Sequence, residues 1–242
     1  MTDFKALIQD KKVALVGPAA YMVGTKLGRE IDEHDVVVRI NRGVELIDDH
    51  GVDIGTKTDV LYSCLIEKFA NAGNINPSLL KESGVKYIVA PPHSDFKGLA
   101  HRTVFHELVD IKKVEALQKL IPIRIIDHVF HTQLAQRVSC KPNTGFLAIY
   151  DLLMLNPSQF SIYGFSFYLD GFIPGCKTGV QEEQNLTEEQ FAEKCFNSKR
   201  HVQKNMWEFA KQTLLFNDMI VLDPTLRKIL ELDALDRSVF KK

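Results

Sequence analysis

Short apolar runs rich in β-branched residues alternate with helical periodicities along nearly the whole chain. About seven strands are predicted, at residues 13–16, 36–40, 58–62, 87–90, 123–126, 161–163 and 219–222. Strands that are apolar at successive positions are typical of a sheet that is buried on both faces. The pattern therefore predicts an α/β fold, with mostly parallel strands and helices on both faces.

Apolar residues three and four positions apart predict the helices between these strands. They indicate a short opening helix at Phe4, a longer one over 105–120, and further helices over 145–155 and 191–215. Pro224 suits the first turn of a last helix that runs through Leu232.

The longest stretch without clear periodicity covers residues 166–185. It is longer than most structureless loops, so we expect either a functional lid or local disorder there. No repeat or low-complexity linker interrupts the sequence, which favours one domain over residues 1–242.

Composition and charge argue against several classes of protein, including nucleic-acid-binding, disulfide-rich and membrane-spanning proteins. The 242 residues are 45% hydrophobic and 25% charged, as in ordinary globular proteins, and the formal net charge of −1 gives no global attraction for nucleic acid. Four cysteines without a Cys-x-x-Cys pair indicate neither a zinc ribbon nor a disulfide framework. No apolar run approaches the ~18–20 residues of a membrane span, and no signal peptide is recognised. We expect a soluble protein in the reducing cytoplasm.

A turn of small residues follows the first strand, with Gly17 at its start and Tyr21 within it. In an open parallel sheet, such a turn lets backbone N–H groups and a helix N-terminus meet a phosphate, although a purely structural tight turn is the alternative. It matches neither Gly-x-Gly-x-x-Gly nor the Lys-Ser/Thr phosphate loop, so neither a hydride cofactor nor ATP is indicated.

Polar residues also end the second strand, where Asn41 and one or both of Arg39 and Arg42 are expected at the same edge of the sheet as that turn. Arginine offers a fixed fork of donors to phosphate or carboxylate, and asparagine both donates and accepts. The alternative is that Arg39 forms a structural ion pair with Asp32 or Asp35.

A second set of backbone donors is predicted where the 145–155 helix begins. Asn143 or Thr144 is a candidate N-cap, and with Gly145 this helix start could hold the other end of a nucleotide; ordinary capping is the alternative.

The histidines differ in how well their positions suit catalysis or metal binding. His201 follows the long loop and is predicted to open a helix, where a neutral imidazole could accept a proton from a substrate. His128 and His131 are better explained as surface residues than as metal ligands, and His93, His101 and His106 have no recognisable ligand spacing. Ser63 and Cys64 end the third strand without a nucleophile elbow, so we discount them as nucleophiles.

Three segments together resemble the animal-type sialyltransferase family, glycosyltransferase family 29. Val-Ala-Leu-Val-Gly at 13–17, the run over 27–42 and Asp-Ile-Gly-Thr-Lys-Thr at 53–58 are similar to its large sialyl motif. Pro-Asn-Thr-Gly-Phe-Leu-Ala at 142–148, with Ile-Tyr-Gly-Phe at 162–165, looks like the small motif, and His201 with Glu208 is similar to the very short motif.

This resemblance implies a single Rossmann-like α/β domain, a variant of the GT-A fold. It also implies that the domain transfers a sugar from a CMP-sugar donor to a glycan hydroxyl with inversion and without a metal or other cofactor. It implies that His201 is the general base, that Asn41 contacts the nucleotide, and that Asn143, Thr144 and Gly145 hold its phosphate or ribose; Gly17 and Tyr21 would complete the nucleotide site. The donor sugar could be sialic acid, a related nonulosonic acid or Kdo. The alternative is a catalytically altered nucleotide- or glycan-binding protein on the same fold.

The chain departs from the family pattern at three places. Pro-Ala-Ala-Tyr at 18–21 replaces an Asn-rich turn, so any phosphate contact there must come from backbone N–H groups. The motif-linking cysteine pair is absent, which fits a microbial or viral branch in a reducing compartment. A third motif is not recognisable over 171–197, which leaves its phosphate-binding histidine unassigned.

Overall fold

A computed structural model describes residues 2–67, 75–92, 109–176 and 185–240 of the chain. Its seven strands are β1 (Lys12–Val16), β2 (Val36–Ile40), β3 (Val60–Tyr62), β4 (Tyr87–Ala90), β5 (Ile123–Ile125), β6 (Gln159–Tyr163) and β7 (Ile220–Leu222). Each of the seven predicted strands is confirmed, with bounds that differ by two residues or fewer.

The strands form one sheet in the order β5-β4-β3-β2-β1-β6-β7, and every neighbouring pair is parallel. After β1 the chain builds the sheet outward through β2 to β5, and it then returns to place β6 on the other side of β1. The strand order therefore reverses at β1, and the carboxyl ends of β1, β2 and β6 meet at this point.

Helices connect the strands, as the periodicity predicts. The described residues form α1 (Thr2–Ile8), α2 (Gly28–Asp32), α3 (Ile47–Ile54), α4 (Pro77–Glu82), α5 (Ile111–Gln118), α6 (His128–Arg137), α7 (Thr144–Leu153), α8 (Glu188–Phe196), α9 (Gln203–Leu214) and α10 (Pro224–Glu231). Short 3₁₀ turns cover Ala20–Met22, Asn41–Val44 and Arg237–Phe240.

The core lies on both faces of the sheet, as predicted from the continuous apolar strands. Along β1, Val13 and Leu15 pack in a cluster with buried residues of α7 and α9, whereas Ala14 and Val16 pack in a second cluster with residues of α2 and α3. Because successive side chains of a strand point to opposite faces, each apolar residue of β1 is buried against one helical layer or the other.

The predicted helix over 191–215 is wrong, because the chain forms two helices that are separated by a turn. Asn197 caps the end of α8 and Val202 precedes α9, so His201 lies in the turn and does not open the helix. Lys141 N donates a hydrogen bond to Arg200 O at 3.1 Å, and a tertiary bond of this kind can replace a helical one. Of the predicted 105–120 helix, 111–118 is confirmed, whereas 105–108 lies outside the described residues.

The 166–185 loop is packed along its described part. Ile173 N donates to Pro18 O at 2.8 Å, Phe172 forms a bridge with Ala19, and Leu169 is buried. Residues 166–176 thus form a wall beside the turn after β1, while 177–184 lie outside the described residues.

Candidate active site

A cavity of about 820 Å³ opens at the carboxyl ends of β1, β2 and β6. Residues that follow each of these strands line it, together with the start of α7 and the turn between α8 and α9. In open parallel sheets the crevice where the strand order reverses is the usual ligand site. Topology therefore marks this cavity as the candidate active site.

The charge of the lining favours an anionic ligand. Among the described lining residues are four cationic side chains, Arg42, Lys141, Lys194 and Arg200, and no aspartate or glutamate. Glu45 offsets part of this charge, because it pairs with Arg42 at 2.7 Å just outside the cavity. The remaining positive potential attracts phosphates and carboxylates.

The beginning of α7 contributes a second feature suited to an anion. Asn143 is the N-cap, with Oδ1 accepting a hydrogen bond from Phe146 N at 2.8 Å and Nδ2 donating to Tyr168 OH at 3.4 Å. The next two residues, Thr144 and Gly145, line the cavity, and N–H groups in the first turn of a helix have no partner within it. The positive end of a buried ten-residue helix thus faces the cavity.

Asn41 lines the opposite wall, directly after β2. Its φ of 48° lies in the left-handed region, which asparagine tolerates better than most residues. The side-chain Oδ1 accepts a hydrogen bond from Cys64 N at 3.0 Å, which fixes the amide plane. The Nδ2 donors are consequently the end of this amide that remains for a ligand.

His201 lies in the turn before α9 and also lines the cavity. Its Nδ1 is 2.7 Å from Lys141 O, and since a carbonyl only accepts, Nδ1 carries the proton of the neutral ring. The backbone around it is fixed by Ser198 Oγ, which accepts from His201 N at 3.2 Å. Nε2 of the neutral ring is therefore an acceptor, as a general base requires.

Burial governs the charge of this imidazole. Desolvation is the largest cause that lowers the pKa of His201, from 6.5 to about 4. The positive charges of Arg200 and Lys141 lower it further, while the hydrogen bond to the Lys141 carbonyl opposes them. The ring is thus neutral at physiological pH.

The cavity brings together five of the seven predicted site residues, namely Asn41, Asn143, Thr144, Gly145 and His201, but neither Gly17 nor Tyr21 lines it. A Cβ on Gly17 would lie 2.3 Å from Gly164 O, so this glycine permits the close approach of the turns after β1 and β6. Tyr21 OH donates to Asp223 Oδ2 at 2.7 Å and accepts from Phe165 N at 3.0 Å.

Most N–H groups of the turn after β1 are already engaged. Ala19 N donates to Gly164 O, Tyr21 N to Asp170 Oδ2 and Met22 N to Ala19 O. Pro18 has no N–H group. The described geometry therefore gives this turn far fewer free donors for a phosphate than its sequence suggests.

The two arginines of the second strand have different surroundings. Arg39 is fully buried, and its guanidinium donates to Thr58 Oγ1 and to the carbonyls of Gly55 and Lys57 at 2.8–3.0 Å. Burial lowers its pKa to about 10, and the charge of Asp32 opposes this. Arg39 thus braces the sheet and lies outside the cavity lining, whereas Arg42 lies in it.

Several lining residues were not singled out from the sequence. They include Tyr168, Arg200 and Gln203. Phe167 and Tyr168 follow β6 and have φ values of 53° and 61°, a conformation that non-glycine residues rarely adopt. Their place after a strand next to β1 is the signal that could have identified them.

Of the other candidates, Cys64 lines the cavity, whereas His128, His131 and Glu208 do not. His128 is exposed, but His131 is only 1% exposed, so the prediction of a surface position is wrong for His131. Glu208 pairs with Lys204 on α9 and is not among the lining residues, and His93, His101 and His106 lie outside the described residues. Within 2–67, 75–92, 109–176 and 185–240, no group of three or more His, Cys, Asp or Glu side chains is arranged to hold a metal ion.

A sequence model of glycosyltransferase family 29 (sialyltransferase) matches residues 9–170, more than half of the chain. The chain belongs to this family. The matched stretch includes the segments that resemble the large and small sialyl motifs, and it ends before His201. No curated protein matches the chain significantly.

Solved sialyltransferases share the fold of this family 29 chain. It is similar to a mammalian sialyltransferase in complex with Gal-beta-1-3GalNAc-ortho-nitrophenol, with 16% identity, a TM-score of 0.53, and coverage of 90% of this chain and 71% of that one. It is also similar to the sialyltransferase CstII from Campylobacter jejuni in complex with the substrate analogue CMP-3FNeuAc, with 15% identity, a TM-score of 0.52, and coverage of 90% and 88%. No helix in the described part of the family 29 chain has the length and hydropathy to cross a membrane. None of the four cysteines, all of which are described, forms a disulfide bond.

Proposed function

We propose that the protein transfers a sialic acid-like or other CMP-activated sugar from a CMP-sugar to a glycan hydroxyl, with inversion and without a metal. The observation that carries this proposal is the placement of His201, with Nδ1 on Lys141 O, in the same cavity as the start of α7. Family membership and the CMP-sugar analogue bound by a protein of the same fold support the donor class.

In this mechanism the α7 start holds the phosphate of the nucleotide. Thr144 and Gly145 offer backbone N–H groups, and Asn41 Nδ2 binds the nucleotide across the cavity. As the bond from the anomeric carbon to the phosphate breaks, these oriented donors stabilise the departing monophosphate. The cationic lining replaces the charge that a metal supplies in enzymes with diphosphate leaving groups.

His201 acts on the acceptor. Its Nε2 removes the proton of the attacking hydroxyl while the anomeric carbon gains oxocarbenium character, and the proton ends on the imidazole. Attack from the face opposite the phosphate inverts the anomeric centre. General-base catalysis of this kind contributes about 10²–10⁴-fold.

The test begins with thermal stabilisation of the protein by CMP, CDP, UDP and GDP, since a ligand of the folded state raises its apparent stability. We expect a shift that is selective for CMP. Transfer from CMP-sialic acid and CMP-Kdo is then measured in excess EDTA, where we expect undiminished activity. A strict requirement for added metal, or a preference for UDP, contradicts the proposal.

One observation favours the alternative of a binding protein on the same fold. The turn after β1 lacks amide side chains, and its N–H groups at Ala19, Tyr21 and Met22 are engaged within the chain. Calorimetry distinguishes the two functions: CMP binding without hydrolysis of any CMP-sugar or transfer to any glycan supports the binding protein.

A further inference from the structure

Gln203 has an acceptor atom that nothing in the described structure satisfies. It is the first residue of α9, it is 2% exposed and it lines the cavity. Its Nε2 donates to His201 O at 2.5 Å, whereas its Oε1 is buried and has no hydrogen-bond partner among the described residues.

The orientation of this amide follows from its surroundings. A carbonyl oxygen can only accept, so the Nε2 end must face His201 O and the Oε1 end must face away from it. Gln203 does not cap its helix, because the N-cap residue is Val202 and no side-chain cap bond is present there. Buried polar atoms are almost always paired, so an unpaired acceptor on a residue of the cavity lining indicates a partner that the described residues do not supply.

We propose that Gln203 Oε1 accepts a hydrogen bond from a hydroxyl of the acceptor glycan, beside the hydroxyl that His201 deprotonates. This inference rests on the proposed function. Gln203 is two residues from the base and bonded to its backbone, whereas the phosphate would lie at Thr144 and Gly145 on α7. Neighbouring hydroxyls of one sugar ring can thus be held together, one by Nε2 of His201 and the next by Oε1 of Gln203.

A buried acceptor of this kind selects substrates. An acceptor sugar that lacks the paired hydroxyl leaves Oε1 unsatisfied, and sites built to bond a substrate hydroxyl discriminate strongly against analogues without it. Gln203 is therefore a specificity-determining residue for the acceptor.

Two substitutions test the role of the Gln203 Oε1 atom as a hydrogen-bond acceptor. Gln203→Met and Gln203→Glu both lose the N–H group that bonds His201 O, but only the glutamate keeps an oxygen acceptor, while methionine has a similar unbranched shape. Both variants lose the bond to His201 O, but only the glutamate adds a negative charge, which also favours the charged form of His201. The acceptor oxygen is therefore identified by comparing each variant with itself on probes that have and lack one hydroxyl.

The experiment measures transfer from CMP-sialic acid to three acceptor probes: a β-galactoside disaccharide, an N-acetylgalactosaminide and a sialylated trisaccharide. On the best probe, we expect Gln203→Met to raise the acceptor KM about tenfold above that of Gln203→Glu. CMP affinity is expected to stay within a few-fold of the native value in Gln203→Met, because CMP binding does not involve the acceptor glycan. In a series of monodeoxy probes, one deoxygenation should cost the native protein about tenfold and cost Gln203→Met nothing further.

The outcomes separate the two proposals. Equal acceptor KM values in the two variants, with active transfer, overturn the role of Gln203 alone and assign its amide to positioning His201. A large loss of CMP affinity in the neutral variant Gln203→Met overturns it too, since the oxygen then contacts the donor. A native protein that neither hydrolyses the donor nor transfers to any probe contradicts the proposed function itself.

Discussion

The pH dependence of the reaction tests the environment of His201 directly. The base must be neutral to accept a proton, so activity is lost as pH falls through its pKa. Burial lowers that pKa from 6.5 to about 4. We therefore expect kcat/KM, which reports the free enzyme, to hold its full value to about pH 5 and to fall only near pH 4.

The structure gives the size of the effect. The difference between a pKa of 6.5 and one of about 4 corresponds to about 3 kcal/mol against the charged ring, which the desolvated position before α9 supplies. At pH 5.5 about 97% of the rings are neutral if the pKa is 4, but about 9% if it is 6.5. The ratio of rates at pH 5.5 and 7.5 thus separates the two cases by about tenfold.

Binding of the CMP-sugar donor should move the acid limb of the pH–rate profile, the pH range in which the rate falls, to higher pH. The phosphate of a CMP-sugar, and the carboxylate of a sialic acid, bring negative charge beside the ring and favour its charged form. We expect the acid limb of kcat, which reports the complex, to lie at higher pH than that of kcat/KM. Screening by salt should bring the two limbs together.

The assay is CMP release from CMP-sialic acid between pH 3.5 and 8, with stability monitored at each pH. His201→Ala should lower transfer by at least about 10²-fold and leave a residual rate without this limb, while CMP affinity stays within a few-fold. His128→Ala is the matched control, because His128 is exposed on α6 and is not among the cavity-lining residues. An acid limb at pH 6.5 in kcat/KM, or a fully active His201→Ala variant, refutes the reasoning.

Three further substitutions test other parts of the structure. Asn41→Ala removes an amide that lines the cavity and should weaken CMP binding about tenfold, as measured by calorimetry. Asp151→Asn disrupts a partly buried pair in which Arg124 reaches Asp151 Oδ2 at 2.5 Å, and should lower the free energy of unfolding by about 3 kcal/mol in urea titrations. Gly17→Ala places a methyl group 2.3 Å from Gly164 O and should cost at least about 1–3 kcal/mol of stability in the same titrations.

Each of these has an outcome that contradicts it. Unchanged CMP affinity in Asn41→Ala counts against the nucleotide assignment of that wall. An Asp151→Asn variant as stable as the native protein shows that the pair does not hold α7 to the edge of the sheet. If Gly17→Ala folds normally but loses CMP affinity, the turn after β1 binds the nucleotide after all.

The strands and their parallel arrangement were predictable because the information is local. A run such as 36–40 is apolar at nearly every position, and only a sheet that is covered on both faces buries all of it. Asn143 was predictable as a cap for a similar reason, since capping depends on one short side chain and the next three residues. The strand and helix patterns also placed Asn41 correctly at the end of a strand and Asn143 at the start of a helix.

The break between α8 and α9 was missed, because the only local sign of it is the polar run over 197–201, which an exposed helical turn can also carry. Lys141, some sixty residues earlier, makes the hydrogen bonds to Arg200 and His201 that hold the turn. The same limit applies to Tyr21, whose bond to Asp223 spans most of the chain. The folded path of the chain brings such distant partners together. Residue spacing along the sequence therefore does not predict these hydrogen bonds.

Sequence alone determined the class of fold, the strands and the family resemblance, since these depend on hydrophobic patterns and short motifs. Tertiary structure decided which polar groups have partners. It satisfied most N–H groups of the turn after β1, fully buried Arg39, bonded one ring nitrogen of His201 to Lys141 O and left Gln203 Oε1 without a donor among the described residues. The physical reason is that burial and pairing fix the chemistry of a polar side chain, and both are properties of the folded chain.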